Sequence, residues 1–153
     1  MLDDIEEYLA NADLLDDYII EREVSPAEFD ADKTIKKHYG DMGNDYNGEP
    51  YSADKYGRPA SFVIRDENHI PKLIIMVMKE SSYKHWLVRW CEYWCKDNKV
   101  PYLRLLIGAP NTEHYIIRRV YEKLQLVGTS RNVPRVRRVR NPGTGEWMEI
   151  TLG

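Results

Sequence analysis

Lys72-Leu-Ile-Ile-Met-Val-Met78 and Tyr102-Leu-Arg-Leu-Leu-Ile107 are the two apolar runs that decide the fold. Each has the length of a strand, and each is followed by a segment with helical periodicity. The segment after the first run covers residues 83–99, and the segment after the second run extends to residue 126. The first run is apolar at consecutive positions, which is typical of a central strand covered by helices on both faces. The stretch therefore predicts strand, helix, strand, helix, an arrangement in which ligands bind where strands end and helices begin.

The segment before these runs is acidic and predicted to be helical. Amphipathic spacing predicts a helix over 2–22. Ser25-Pro26-Ala27-Glu28 has the pattern of a capping box, which predicts a second helix that ends at Gly40. Two hairpins complete the chain, one joining 60–65 to 72–78 and one joining 127–140 to 146–152.

These elements predict one α/β domain over residues 1–153. It should consist of an acidic helical part at 1–40, a loop at 41–59 and an α/β core at 60–153. The core should contain a mixed sheet with helices on both faces. No segment has the roughly 20 apolar residues of a membrane span, so we expect no membrane association and a cytoplasmic location.

Charge is divided along the chain. Residues 1–50 carry 15 acidic and four basic side chains, a net charge of −11, whereas residues 51–153 carry 18 basic and 10 acidic ones, a net charge of +8. A basic run at 131–140 is expected to be a solvated strand face, a seat for the acidic first helix or a patch for an acidic partner. Nucleic-acid binding is not expected there, because aromatic residues are not interleaved with the arginines. The arginines are Arg131, Arg135, Arg137, Arg138 and Arg140.

The loop at 41–59 is long for a connection inside one domain, and such loops are usually functional or mobile. Tyr46, Tyr51 and Tyr56 lie five residues apart among Gly, Asn and Asp, a composition that binding loops favour. We predict either a protein-binding surface formed by this loop and the acidic helix, or rings that fix the loop to the sheet. Its acidic residues do not have the spacing of a calcium loop. We expect no metal, and the helical pair Cys91 and Cys95 is expected to be buried.

The second half of the chain resembles the GNAT superfamily of acyl-CoA-dependent N-acyltransferases. The resemblance rests on an apolar strand entering a Trp-bearing helix, on Val100-Pro-Tyr-Leu-Arg-Leu-Leu-Ile107, on Asn111, on Tyr121-Glu-Lys-Leu-Gln-Leu126 and on a closing strand, Trp147-Met-Glu-Ile150. It implies a GNAT-like, mostly antiparallel mixed sheet. It also implies that acetyl-CoA binds between the splayed central strands and that Tyr121 protonates the leaving thiolate.

A phenol with a pKa of about 10 is a reasonable donor to a forming thiolate. The alternative is that Tyr121 packs with Ile117, Val120 and Leu124 on an amphipathic helix, since most aromatic residues on helices belong to the core. Asn111 is expected either to orient a substrate or to cap the next helix. Glu80 is expected to be a general base or a carboxylate stabilised at a helix start.

The segment that should bind the CoA diphosphate contains no glycine. The family uses a glycine-rich turn at a helix N-terminus, where bare backbone N–H groups approach the phosphates. This chain instead has Glu80 at that point, with Lys79, Ser81, Ser82 and Lys84 as the residues available to bind the cofactor or cap the helix.

We therefore expect a GNAT-fold protein without efficient acyl transfer, with no cofactor, that acts as a protein-binding component. Compact proteins of this kind occur in tailed phages, so the resemblance implies a phage protein of the host cytoplasm or the virion. The alternative is an active acetyl-CoA-dependent N-acetyltransferase that uses Tyr121 as its general acid.

Overall fold

The computed structural model describes residues 1–82, 85–126, 135–140, 143–145 and 147–152. Its main sheet has four strands in sequential order, with two antiparallel pairs followed by one parallel pair. A separate antiparallel pair follows near the end of the chain. The mixed, mostly antiparallel sheet is thus confirmed. The main strands are β1 (Ile19–Val24), β2 (Ala60–Arg65), β3 (Pro71–Met78) and β4 (Tyr102–Leu106), and the separate pair is β5 (Arg135–Arg140) with β6 (Trp147–Leu152).

Helices cover both faces of the main sheet, as the apolar pattern of β3 predicts. Leu73, Ile75 and Val77 point into one core, whereas the alternate residues Ile74, Met76 and Met78 point into the other. We call these the α5 face and the α4 face. The α5 face packs against α1 (Leu2–Ala10) and α5 (Glu113–Lys123), and the α4 face against α2 (Ala31–Tyr39), α3 (Ala53–Tyr56) and α4 (Trp86–Asn98).

The predicted helix over 2–22 is wrong beyond its first turns. Helix α1 ends at Ala10, a short 3-10 turn follows, and β1 begins at Ile19. Asn11 is the C-cap residue, and its N–H makes the last helical hydrogen bond, to the carbonyl of Glu7. Strand pairing then overrides helical spacing, because β-branched Ile19 and Ile20 pack well in a sheet and lie opposite Arg65 and Ile64 of β2.

The capping box is half confirmed. Ser25 Oγ accepts from the N–H of Ala27 at 3.3 Å, but Glu28 reaches Arg65 at 3.7 Å instead of closing the box. The turn it starts is a 3-10 helix, and α2 begins only after Asp30, which has a φ of +52°. Helix α2 ends at Tyr39 and is followed by Gly40, as predicted.

The tryptophans of α4 fill the space between helix and sheet. Trp90 is fully buried, and its Nε1–H donates to the carbonyl of Arg58 at 2.9 Å. Trp86 and Trp94 are partly buried against the same core. Cys91 and Cys95 are buried thiols, and burial raises the pKa of Cys91, so the expectation that both cysteines belong to the core is confirmed.

Candidate functional site

The segment that should bind a diphosphate is an exposed turn. A 3-10 turn over Glu80–Ser82 follows β3, and Lys79, Glu80 and Ser81 are exposed. Helix α4 is capped by His85, whose Nδ1 accepts from the N–H of Leu87 at 3.2 Å, so the expectation that Ser81 or Ser82 caps it is wrong. Lys84 lies outside the described residues.

The strands that should splay around an acyl-CoA remain paired. β3 and β4 are in register from Ile74 opposite Tyr102 to Met78 opposite Leu106. One residue further on, the N–H of Ile107 still donates to the carbonyl of Met78 at 2.9 Å. Over this stretch the two strands are therefore joined by backbone hydrogen bonds and do not separate.

The two predicted catalytic side chains lie on different parts of the molecule. Tyr121 is partly buried on the α5 face, and its hydroxyl accepts from the N–H of Leu14 at 3.4 Å. Burial raises the pKa of this phenol, and Asp13 and Asp16 add to the effect. Glu80 instead follows β3 in the turn that leads to α4, and no described contact joins it to Tyr121.

Asn111 closes the turn after β4. Its side-chain amide donates to the carbonyl of Leu106 at 2.9 Å. The cap of α5 is Thr112, whose hydroxyl accepts from the N–H of Tyr115 at 3.3 Å. The expectation that Asn111 caps this helix is wrong. Asn111 lies beside the carboxyl end of β4, within reach of a ligand that binds there.

The acidic helix pairs with a cation of its own part of the chain. Asp3 and Glu6 of α1 lie 2.5 and 2.7 Å from Arg22 of β1, and these carboxylates raise the pKa of the guanidinium. Of the arginine run, Arg131 lies outside the described residues, and the other four arginines belong to β5. Contact of β5 with the acidic helix, or with an acidic partner, stays a prediction.

The predicted loop at 41–59 is held together by its own side chains and includes the short helix α3. One oxygen of Asp45 accepts from the backbone N–H groups of Asn47 and Glu49, both at 2.9 Å, and the other accepts from the Tyr56 hydroxyl. The Tyr56 hydroxyl and these N–H groups lower the pKa of Asp45. Lys55 lies 2.8 Å from Glu49. Such internal packing is typical of a compact Ω-type loop.

The three tyrosines of this loop are all exposed. Tyr46 is fully exposed at the tip, and Tyr51 and Tyr56 each keep a little over a third of their surface. Tyr51 packs edge-on against Tyr56, with ring centroids 5.7 Å apart, and against Trp86 of α4 at 6.1 Å. Tyr51 therefore fixes the loop to α4 and Tyr56 packs on Tyr51, whereas Tyr46 projects from the loop. The protein-binding role of the loop stays a prediction.

The rings continue along α4 and α2. Trp86 and Tyr93 are seven residues apart, about two helical turns, and so lie on the same side of α4. The guanidinium of Arg89 lies 5.1 Å from the Tyr93 ring, and His38 of α2 stacks on that ring at 4.1 Å. Tyr39 meets Tyr93 edge-on. We call this surface the aromatic face: Tyr39, Tyr46, Tyr51, Tyr56, Trp86 and Tyr93.

Sequence reasoning found only the loop part of the aromatic face. The spacing of Trp86, Arg89 and Tyr93 is a helical signal for the rest, but it marks a stripe without telling which side of α4 is buried. The contribution of Tyr39 could not be read from spacing, because α2 and α4 meet only in the folded chain.

The comparisons find no match. No family model, curated protein or solved structure matches the chain. The resemblance to the GNAT superfamily therefore stays a prediction. Among the described residues, no helix has the length and apolarity to cross a membrane, and no cluster of His, Cys, Asp and Glu is suited to hold a metal ion.

Proposed function

We propose that this chain is a protein-binding component that contacts its partner through the aromatic face and does not perform efficient acyl transfer. The observation that carries the proposal is a set of exposed and partly exposed Tyr and Trp rings that extends from the loop over α4 to α2, all but Tyr46 packed edge-on against another ring of the set. Its relation to the GNAT fold and its place in a phage virion are parts of the same proposal. Mass spectrometry of purified particles would test the latter.

The composition of the aromatic face supports this function. Tyr, Trp and Arg are the side chains that most often dominate binding energy at protein interfaces. Rings already fixed by edge-on packing lose little conformational entropy on binding, which favours affinity. The exposed carboxylate of Asp41 lies in the same loop, so a partner with a basic residue beside an apolar patch fits this surface.

The arrangement around β3 supports the part of the proposal that concerns acyl transfer, namely that the chain does not perform it efficiently. The strands that should separate are hydrogen-bonded to their ends, and the diphosphate segment is glycine-free. Tyr121 packs on the α5 face, whereas Glu80 lies in the exposed turn that leads from β3 into α4. Acyl transfer would require these groups to converge on one thioester, because only a positioned donor and base contribute to catalysis.

Tyr46→Ser is the sharpest test of the aromatic face. This side chain makes no contact that the fold needs, so we expect an unchanged melting temperature together with loss of a specific partner captured from an extract of the native host. Ile70→Ser is the matched control, because Ile70 is also an exposed apolar side chain but lies in the turn between β2 and β3. Capture that survives both Tyr46→Ser and Tyr51→Ser would contradict the proposal.

Calorimetry with acetyl-CoA tests the absence of efficient acyl transfer. We expect a dissociation constant in the high micromolar range or weaker, about −5 to −6 kcal/mol, because no glycine turn receives the diphosphate. Glu80→Gly removes a carboxylate and frees the backbone at this point, so it should strengthen the weak binding. Low-micromolar binding by the unmodified chain, unimproved by Glu80→Gly, would favour the active transferase instead.

A further inference from the structure

A cavity lies at the outer edge of β4, between α4 and α5, away from the aromatic face. Its volume is about 410 Å³, within the range of about 300–1,000 Å³ that is common for small-molecule sites. It extends to the carboxyl end of the parallel pair β3–β4, where ligands of α/β folds usually bind. The polar residues that line it are Glu92, Tyr102, Arg104, Asn111, Tyr115 and Arg119.

The charges around this cavity favour an anion. Among the described residues that line it, Arg104 comes from β4 and Arg119 from α5, and the one carboxylate is that of Glu92. The charge of Glu92 is partly neutralised from outside the cavity, since its Oε2 lies 3.4 Å from Nε of Arg89. The described lining residues therefore carry a net positive charge, with two guanidinium groups and one carboxylate.

Arg119 is held in position before any ligand arrives. One of its Nη groups donates to the hydroxyl of Tyr115 at 2.7 Å, and its guanidinium carbon lies 5.6 Å from the centre of that ring. A guanidinium has five N–H donors in a planar fork, so further donors remain to bind both oxygens of a carboxylate or phosphate. Fixing the fork in advance reduces the entropy lost on binding.

Tyr102 supplies a second donor in a mostly buried position. Burial raises the pKa of its phenol, which keeps the hydroxyl protonated. Its hydroxyl is suited to donate to a bound oxygen, since a mostly buried phenol usually has a hydrogen-bond partner. Its ring, with Leu106 and Ala109, gives the cavity an apolar wall.

We propose that this cavity binds a small organic anion, namely an apolar body that carries one carboxylate or phosphate group, with Arg119 binding the anionic group and Tyr102 donating to one of its oxygens. The apolar body then packs on the wall formed by the Tyr102 ring and Leu106. This site goes beyond the proposed protein-binding function, and it shares no residue with the aromatic face.

Calorimetry of the full chain with benzoate and with phenyl phosphate tests this inference and separates the two anionic groups. We expect binding of at least one probe at millimolar concentration or below, and none of benzylamine, which has the same ring with the opposite charge. Arg119→Gln should weaken binding about tenfold or more, since a charge-assisted hydrogen bond is lost. Glu92→Gln should strengthen it several-fold, because an opposing carboxylate is removed.

Arg118→Gln is the matched control. Arg118 is the neighbour of Arg119 on α5, but its Nε donates to Glu122 at 2.9 Å and it does not line the cavity, so its removal should leave probe binding unchanged. Melting temperatures verify that each variant is folded. Failure of both anionic probes to bind, or equal binding by the unmodified chain and Arg119→Gln, would overturn the proposal.

Discussion

Replacing Trp90 by alanine should lower the free energy of unfolding by about 3–5 kcal/mol, the usual cost of truncating a fully buried aromatic side chain. Trp90 leads the fully buried side chains of the described core in size. It packs against Phe29, with ring centroids 5.6 Å apart, and donates to the carbonyl of Arg58. The variant therefore loses apolar burial and leaves a backbone carbonyl without its donor.

Urea unfolding followed by circular dichroism measures this loss. Trp86→Ala is the control, because the same ring at the start of α4 is only partly buried and should cost clearly less. Equal losses of stability in the two variants, or a loss of less than about 1 kcal/mol in Trp90→Ala, well below the usual range, would show that Trp90 does not anchor the core under α4.

The central part of the fold was predictable because β3 carries its own signature. A strand covered on both faces must be apolar at every position, and Leu73 to Met78 satisfy this without any knowledge of their neighbours. β1 lacks such a signature. Its sequence, Ile-Ile-Glu-Arg-Glu-Val, becomes a strand only because β2 lies beside it, so helical spacing in the preceding residues was extended too far.

The same distinction between a local sequence signal and one that depends on the fold applies to the aromatic face and to the cavity at β4. The loop tyrosines were found by composition, since Gly, Asn and Asp around aromatic residues describe a binding loop locally. The cavity at β4 needed the fold, because Arg104 and Arg119 come from a strand and a helix whose closeness no local pattern reveals. A charged residue inside the apolar run of β4 was the available signal: Arg104 alternates with the buried Leu103 and Leu105, which marks one side of the strand as polar.

Gly57→Ala should also destabilise the protein, by about 1–3 kcal/mol, through overpacking. Gly57 follows α3 with a φ of −60°, which alanine adopts without strain, so its backbone conformation does not explain the need for glycine. The explanation is steric. An added Cβ would lie 2.4 Å from the carbonyl oxygen of Ala53 and 3.2 Å from both Pro26 and Trp90.

The nearest of these atoms, the carbonyl oxygen of Ala53, belongs to the backbone and cannot be removed by a substitution. The control variant therefore changes a neighbouring side chain. Trimming a neighbouring side chain with Pro26→Ala cannot relieve contact with a carbonyl oxygen, so the double variant should remain less stable than Pro26→Ala alone. A chain of this size loses about 2–4 °C of melting temperature per kcal/mol, which makes the effect measurable by thermal unfolding. An unchanged melting temperature for Gly57→Ala would show that the end of the loop shifts without cost, and the aromatic face would then be less rigid than its proposed role in binding requires.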